Sequence, residues 1–157
     1  MSKVTRATKM LEQAGISFTV HTYDYDGDAD RIGLQAAEAL GEPPSRVLKS
    51  LMALVDAKPV CVIVPSDREV SMKKLAAACG GKSAQMMKPA DAERLSGYKV
   101  GGISPFGQMK PPRAVIEEIA MANDFVFING GQRGLQVRLD PRDAAKVLNA
   151  IVAPLVA

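Results

Sequence analysis

The chain has 157 residues, enough to build a packed core without metal or disulfide staples, and 47% of them are hydrophobic, which excludes a disordered chain. Twenty basic residues against 17 acidic ones leave a net charge of +3, too mild a balance to dictate a nucleic-acid partner or to forbid one. No apolar run reaches the ~18 residues of a membrane span, and the N-terminal "MSKVTRATKMLEQAGISF" spreads its charges where a secretory signal is apolar, so a cytoplasmic protein without membrane contact is expected.

In chain order, "TRATKMLEQAG" carries apolar residues at helical spacing and predicts a helix over 3–14, closed by Gly15. "ISFTVHTY" alternates and is rich in strand formers, so a strand follows. A second helix is expected from Asp30 to Leu40, before "EPPS" breaks the chain. "RVLKSLMALVD" and "PVCVIVP" flank a short turn and predict a β-hairpin of buried strands. Ser71 is placed to cap a helix over Met72 to Cys79. "KSAQMM" predicts a short strand, and "KPADAERLSG" a short helix starting just after Pro89 and ending at Gly97.

"RAVIEEIAMANDFVFING" supports two readings. Its first half fits helical periodicity, and it fits equally a strand followed by a turn at "MAND"; "FVFIN" is strand in either case. "GGQRG" is a turn and "LQVRL" a strand. "DPRDAAKVLNAIVAPL" predicts a C-terminal helix with Asp140 as N-cap and Pro141 at its first position. Helices and strands mix without a βαβ repeat, which predicts an α+β fold with a largely antiparallel or mixed sheet. Repeats, low-complexity tracts and linkers are absent from the sequence, so a single domain over 1–157 is expected.

The two cysteines, Cys61 and Cys79, sit in apolar surroundings at a spacing that matches no zinc or redox motif, and two reduced, buried thiols are expected. The only histidine is His21, so a serine triad would need it as base; a small-ester hydrolase using Ser104 with His21 is the corresponding reading. No metal and no cofactor are implied. Four Phe, three Tyr and no Trp argue that any RNA is held by scattered phosphate contacts rather than by stacked bases.

Three features carry chemistry. Lys49 interrupts an apolar strand; it either faces solvent or holds an ammonium in a pocket, where it can neutralise a phosphate or polarise a carbonyl. "GGISPFG" (101–107) and "NGGQRG" (129–134) are glycine-rich, and each is either a plain turn or a source of amides aimed at an anion or oxyanion. Neither matches a P-loop or a dinucleotide fingerprint.

Taken together in order, "ISFTVHTYDYD", "RVLKSLMALVD", "YKVGGISPFGQMK" and "FVFINGGQRGLQVRL" resemble the YbaK family, the freestanding homologues of the editing domain inserted in bacterial prolyl-tRNA synthetases. The resemblance spans nearly the whole length. It implies an α+β domain with a mixed, partly barrel-like sheet flanked by helices. It also implies hydrolysis of mischarged aminoacyl-tRNA, typically Cys-tRNA(Pro), with tRNA as partner, prolyl-tRNA synthetase as a possible second one, and no cofactor.

By position, Lys49 matches the family's essential lysine, placed near the tRNA 3′-terminal phosphate or the ester, and Ser50 follows where relatives carry threonine, serine or asparagine. Lys49, Ser50, Gly101 and Gly102 are thereby the expected catalytic set. Tyr23 matches a tyrosine near the pocket. With the two glycines, Ile103, Ser104 and Pro105 match the loop that faces the aminoacyl group. Asn129, Gly130, Gly131, Arg133 and Gly134 match the second loop. Cys-specific members usually carry serine at the position of Asn129 and aspartate at that of Gln136, departures that bear on amino-acid specificity. The mechanism implied needs no enzymatic nucleophile: the substrate's own thiol attacks its ester while the protein positions the parts. Deacylation of Ala- or other small mischarged residues by a positioned water, and tRNA binding without hydrolysis, are the alternative readings.

Overall fold

In the computed structural model, residues 4–27 and 32–157 are described. The chain opens with α1 (Arg6–Gln13), started by a reciprocal cap: Thr5 Oγ1 accepts from Thr8 N at 3.1 Å and Thr8 Oγ1 accepts from Thr5 N at 2.9 Å. One turn apart, Ala7 and Leu11 are fully buried, which fixes the face α1 presents. β1 (Thr19–Thr22) and α2 (Ile32–Leu40) follow. The starts expected for these two helices, Lys3 and Asp30, lie outside the described residues.

The hairpin is β2 (Leu48–Val55) with β3 (Lys58–Pro65), antiparallel, turning through Asp56 and Ala57 at φ +48° and +68°. Two successive positive-φ residues make the turn that matches strand twist. Asp56 also fastens the turn, its carboxylate accepting from Lys82 N and Ser83 N at 3.1 Å. β3 is buried from Val60 to Pro65 because strands flank it on both sides, so its apolar run does not alternate. α3 (Met72–Ala78), capped by Ser71, leads to β4 (Ala84–Met86), an edge strand on β2, and to α4 (Pro89–Ser96), which ends at Gly97.

The ambiguous segment resolves as β5 (Arg113–Glu117), a 3-10 helix (Glu118–Ala122) and β6 (Val126–Gln132). β5 runs parallel to β3, so its apolar residues belong to the sheet rather than to a helix face. β7 (Leu135–Leu139) pairs antiparallel with β6 and β1. The C-terminal helix is shorter than expected. α5 (Pro141–Leu148) stops where Asn149 turns left-handed at φ +50°, and the chain continues as β8 (Ile151–Ala153), parallel to β5. The β-branched Ile151 and Val152 favour that outcome.

The sheets are β1-β7-β6 and β4-β2-β3-β5-β8, joined by a parallel bridge between Val47 and Phe127. The expected α+β class with a mixed, partly barrel-like sheet is therefore what forms, without closure of the barrel. Cys61 is buried and its thiol is pushed up to about 12 by that burial, only partly countered by the Gln108 amide, so it is inert; Cys79 departs from expectation in being only half-buried.

Candidate active site

Between β2, the β4–α4 junction, the loop after α4 and the end of β6 lies a cavity of about 440 Å³. Lys49 reaches it from β2, opposite Val64 of β3. Its side chain is 20% exposed, and among the described residues its ion-pair partner is Glu69 at 3.9 Å, itself 90% exposed. So loose and solvated a pair contributes little and leaves the ammonium free to turn to a substrate. Among the described residues, Lys49 is the only charged side chain on the cavity wall, so any phosphate or developing oxyanion there meets this cation first.

Asn129 fastens the two glycine loops together. Its Oδ1 accepts from Gly131 N at 2.6 Å and from Gln132 N at 3.3 Å, while its Nδ2 donates to the carbonyls of Gly101 and Gln132, both at 3.3 Å. These bonds span the β-bulge between Asn129 and Gln132, where the register of β6 on β7 shifts. The loops also touch through main chain: a Cβ on Gly102 would lie 2.8 Å from Arg133 N and 3.0 Å from Gln132 C. Gly101 sits at φ +90° with the Tyr25 hydroxyl packed where a Cβ would be. Glycine at these two positions permits the loops to meet and brings the main chain to the cavity wall.

The amides do less than expected. Gly102 N donates to Lys99 O at 2.8 Å and Gly131 N to Asn129, so both serve the loops' own geometry rather than an anion. Of the predicted residues, Tyr23, Lys49, Ser50, Gly101, Ile103 and Asn129 meet on the cavity wall. Gly102, Ser104, Pro105, Gly130, Gly131, Arg133 and Gly134 do not line it. Ser104 is fully buried; its Oγ accepts from Phe106 N at 3.2 Å, and its carbonyl accepts from Gln108 Nε2 at 3.0 Å. His21 contacts Thr19 Oγ1 at 2.8 Å and lies edge-on to Phe127. A serine nucleophile at 104 therefore has no access to a substrate. Gly130 supports the wall from behind, its carbonyl accepting from Thr5 Oγ1 at 2.5 Å.

The structure adds Tyr25, Val100 and Met86 to the wall and places Gln136, one of the two departures from the Cys-specific pattern, there as well. Gln136 is the direct cross-strand partner of Asn129, a pairing that the alternation of "LQVRL" against "FVFIN" makes readable once the hairpin is assumed. Its Oε1 is buried without a hydrogen-bond partner among the described residues, and its amide faces the Tyr23 hydroxyl. Burial pushes the Tyr23 phenol above its ordinary range and Gln136 only partly offsets this, so Tyr23 stays a neutral hydrogen-bonding group at physiological pH.

Comparison with known proteins bears on this arrangement. The profile of the aminoacyl-tRNA editing domain family matches residues 28–147. The chain is 30% identical over 153 residues to the Cys-tRNA(Pro)/Cys-tRNA(Cys) deacylase candidate EbsC of Enterococcus faecalis, covering 96% of this chain and 92% of that one. It is 24% identical over 143 residues to the multifunctional Ser/Thr-tRNA deacylase ProXp-y of Escherichia coli, covering 90% and 86%. A solved structure of a candidate trans-editing enzyme for prolyl-tRNA synthetase superposes with a TM-score of 0.86 at 23% identity, over 100% of this chain and 98% of that one; at that identity it speaks for the fold.

Proposed function

The chain belongs to the aminoacyl-tRNA editing domain family, and from that premise we propose that it hydrolyses mischarged aminoacyl-tRNA in trans, with a cysteinyl ester as the preferred substrate. The observation that carries this reading is the convergence on one cavity of Lys49, Gly101, Ile103 and the Asn129 clamp. Residues 1–157 act as one editing unit, its partner the acceptor end of tRNA and, through the charging step, prolyl-tRNA synthetase. Among the described residues no helix is long and apolar enough to cross a membrane. A cytoplasmic site of action follows from the substrate.

The chemistry asks little of the protein beyond placement. The cysteinyl thiol, on losing its proton, adds to its own ester carbonyl. Collapse of the tetrahedral adduct breaks the bond to the ribose oxygen, which takes up the proton, leaving a thiolactone and a free tRNA 3′ end. Lys49 holds the negative charge that develops on the ester or the neighbouring phosphate, and Tyr23 supplies a neutral hydroxyl at the wall. Holding reacting groups in place is worth ~7–11 kcal/mol of a barrier, so a site without a protein nucleophile suffices.

A second reading has its own observation: Asn129 and Gln136, the two departures from the Cys-specific pattern, face each other across β6 and β7 at the cavity. Their placement favours an altered choice of small aminoacyl group, hydrolysed by water. Hydrolysis rates for Cys-tRNA(Pro), Ala-tRNA(Pro), Ser-tRNA and Pro-tRNA(Pro) separate the readings. Fast loss of the cysteinyl ester alone supports the thiol-assisted reaction. Loss of alanyl or seryl esters moves catalysis to water, and stability of all four sinks the deacylase in favour of a tRNA-binding module.

A further inference from the structure

The cavity is larger than a small aminoacyl group fills. Its volume of about 440 Å³ lies within the roughly 300–1,000 Å³ typical of pockets that enclose whole organic ligands. Beside the single charged side chain, Lys49, the described lining also has an apolar and aromatic part. Val100 and Met86 line the cavity yet are 42% and 48% exposed, so apolar side chains stand in water at its mouth. Beside them the Tyr25 ring forms part of the wall, its hydroxyl packed on Gly101. The Arg133 guanidinium lies 5.4 Å from the centre of that ring, and its Nε donates to Val100 O at 2.9 Å, which ties Tyr25 and Val100 into one unit. Arg133 itself is not part of the cavity wall.

An aromatic ring held by a guanidinium, with exposed aliphatic groups lining the same cavity, is a construction that can stack a nucleobase. We propose that Tyr25, with Val100 and Met86 beside it, binds the base of the terminal adenosine of the tRNA substrate. The inference rests on the deacylase reading for the identity of that nucleoside. The scissile ester sits on the ribose of the same nucleotide, so a base held at Tyr25 presents the ester to the part of the cavity that Lys49 reaches. Composition argued for phosphate contacts alone, because aromatic residues are few. A base stacked on Tyr25, one of the two tyrosines on the cavity wall, would depart from that expectation.

Binding of 5′-AMP, followed by NMR titration, tests the site without any ester present, with ribose 5-phosphate as the control that lacks a base. The wild type binds AMP at least roughly fivefold more tightly than ribose 5-phosphate, and Tyr25→Leu weakens AMP by roughly 5- to 150-fold while leaving ribose 5-phosphate unchanged. Tyr25→Phe retains the ring and stays close to wild-type affinity; thermal melts confirm that both variants fold. In deacylation, Tyr25→Leu raises KM with kcat near the wild-type value. Equal affinity for AMP and ribose 5-phosphate, or AMP binding unaltered in folded Tyr25→Leu, overturns the proposal even if hydrolysis is vigorous. Tyr25-dependent AMP binding by a protein that cleaves no aminoacyl ester upholds the nucleoside site and removes the deacylase reading instead.

Discussion

Removing the Asn129 side chain should loosen both glycine loops at once. Asn129 is 8% exposed and makes four hydrogen bonds to backbone groups, one short at 2.6 Å and three long at 3.3 Å. A protein hydrogen bond contributes about 0.5–1.5 kcal/mol net, and the three long ones belong at the lower end. Asn129→Ala is therefore expected to cost about 2–3 kcal/mol. With a urea m-value of about 2 kcal/mol/M, the unfolding midpoint falls by roughly 1–1.5 M. Asn129→Ser keeps an acceptor for the Gly131 amide and should cost about 1 kcal/mol. Asn129→Asp keeps that acceptor but sets a carboxylate against the carbonyls of Gly101 and Gln132, so it should destabilise at neutral pH at least as much as Ser does. The assay is urea unfolding followed by circular dichroism. A midpoint for Asn129→Ala within about 0.25 M of wild type would show that the loops hold each other without the clamp, and the reasoning from these four bonds would be wrong.

Glu117 is 1% exposed; burial alone would raise its pKa, but N–H donors from Ile119, Leu155 and Val156 at 2.7–3.0 Å outweigh that and lower it. Its stabilisation is therefore present above the unfolded value of about 4.3 and lost as pH falls through the lower folded value. Glu117→Gln should cost about 2–4 kcal/mol at pH 7 and flatten the fall of stability below about pH 4; parallel pH–stability curves for the two proteins would refute this. Gly102→Ala places a methyl against the main chain of Gln132 and Arg133, and should lower stability by about 1–3 kcal/mol with a larger relative loss of deacylation; an unchanged melting temperature would contradict the loop contact. Ser104→Ala removes a buried hydroxyl from its turn, at about 1 kcal/mol, and His21→Ala leaves the cavity untouched, so neither should abolish ester hydrolysis in protein that remains folded. Complete loss of activity in both would restore a serine–histidine mechanism.

Local signals were legible wherever the residues that make an element are neighbours in sequence. The Ser71 and Asp140 caps, Pro89 and Pro141 at helix starts, and the β2–β3 hairpin all depend on contacts a few residues apart, and all form. β8 was not legible, because its three residues gain a strand only by pairing with β5, some 35 positions earlier in the chain. The same division runs through the site. Lys49 and the two loops stood out through their residue types and the family resemblance, and the cavity gathers Lys49 with Gly101, Ile103 and Asn129. Ser104 stood out equally, yet it faces inward, since nothing in "GGISPFG" says which side of the loop is wet. Tyr25, Val100 and Met86 come to one wall from three separate elements, so no single stretch announces them. Nor does a glycine count reveal that the amides of Gly102 and Gly131 are already bonded within the loops.

Lys49 is the group on which the proposed reaction depends most. The decisive measurement is single-turnover deacylation of Cys-tRNA(Pro) by the wild type and by Lys49→Ala, with circular dichroism and melting temperature recorded on the same samples. The alanine variant should fold normally, because among the described residues the Lys49 ammonium pairs only loosely, with exposed Glu69. Loss of a preorganised charge at the reacting centre should slow it by roughly 100-fold or more. A folded Lys49→Ala protein that cleaves the cysteinyl ester at the wild-type rate would contradict the account, whatever else the cavity binds.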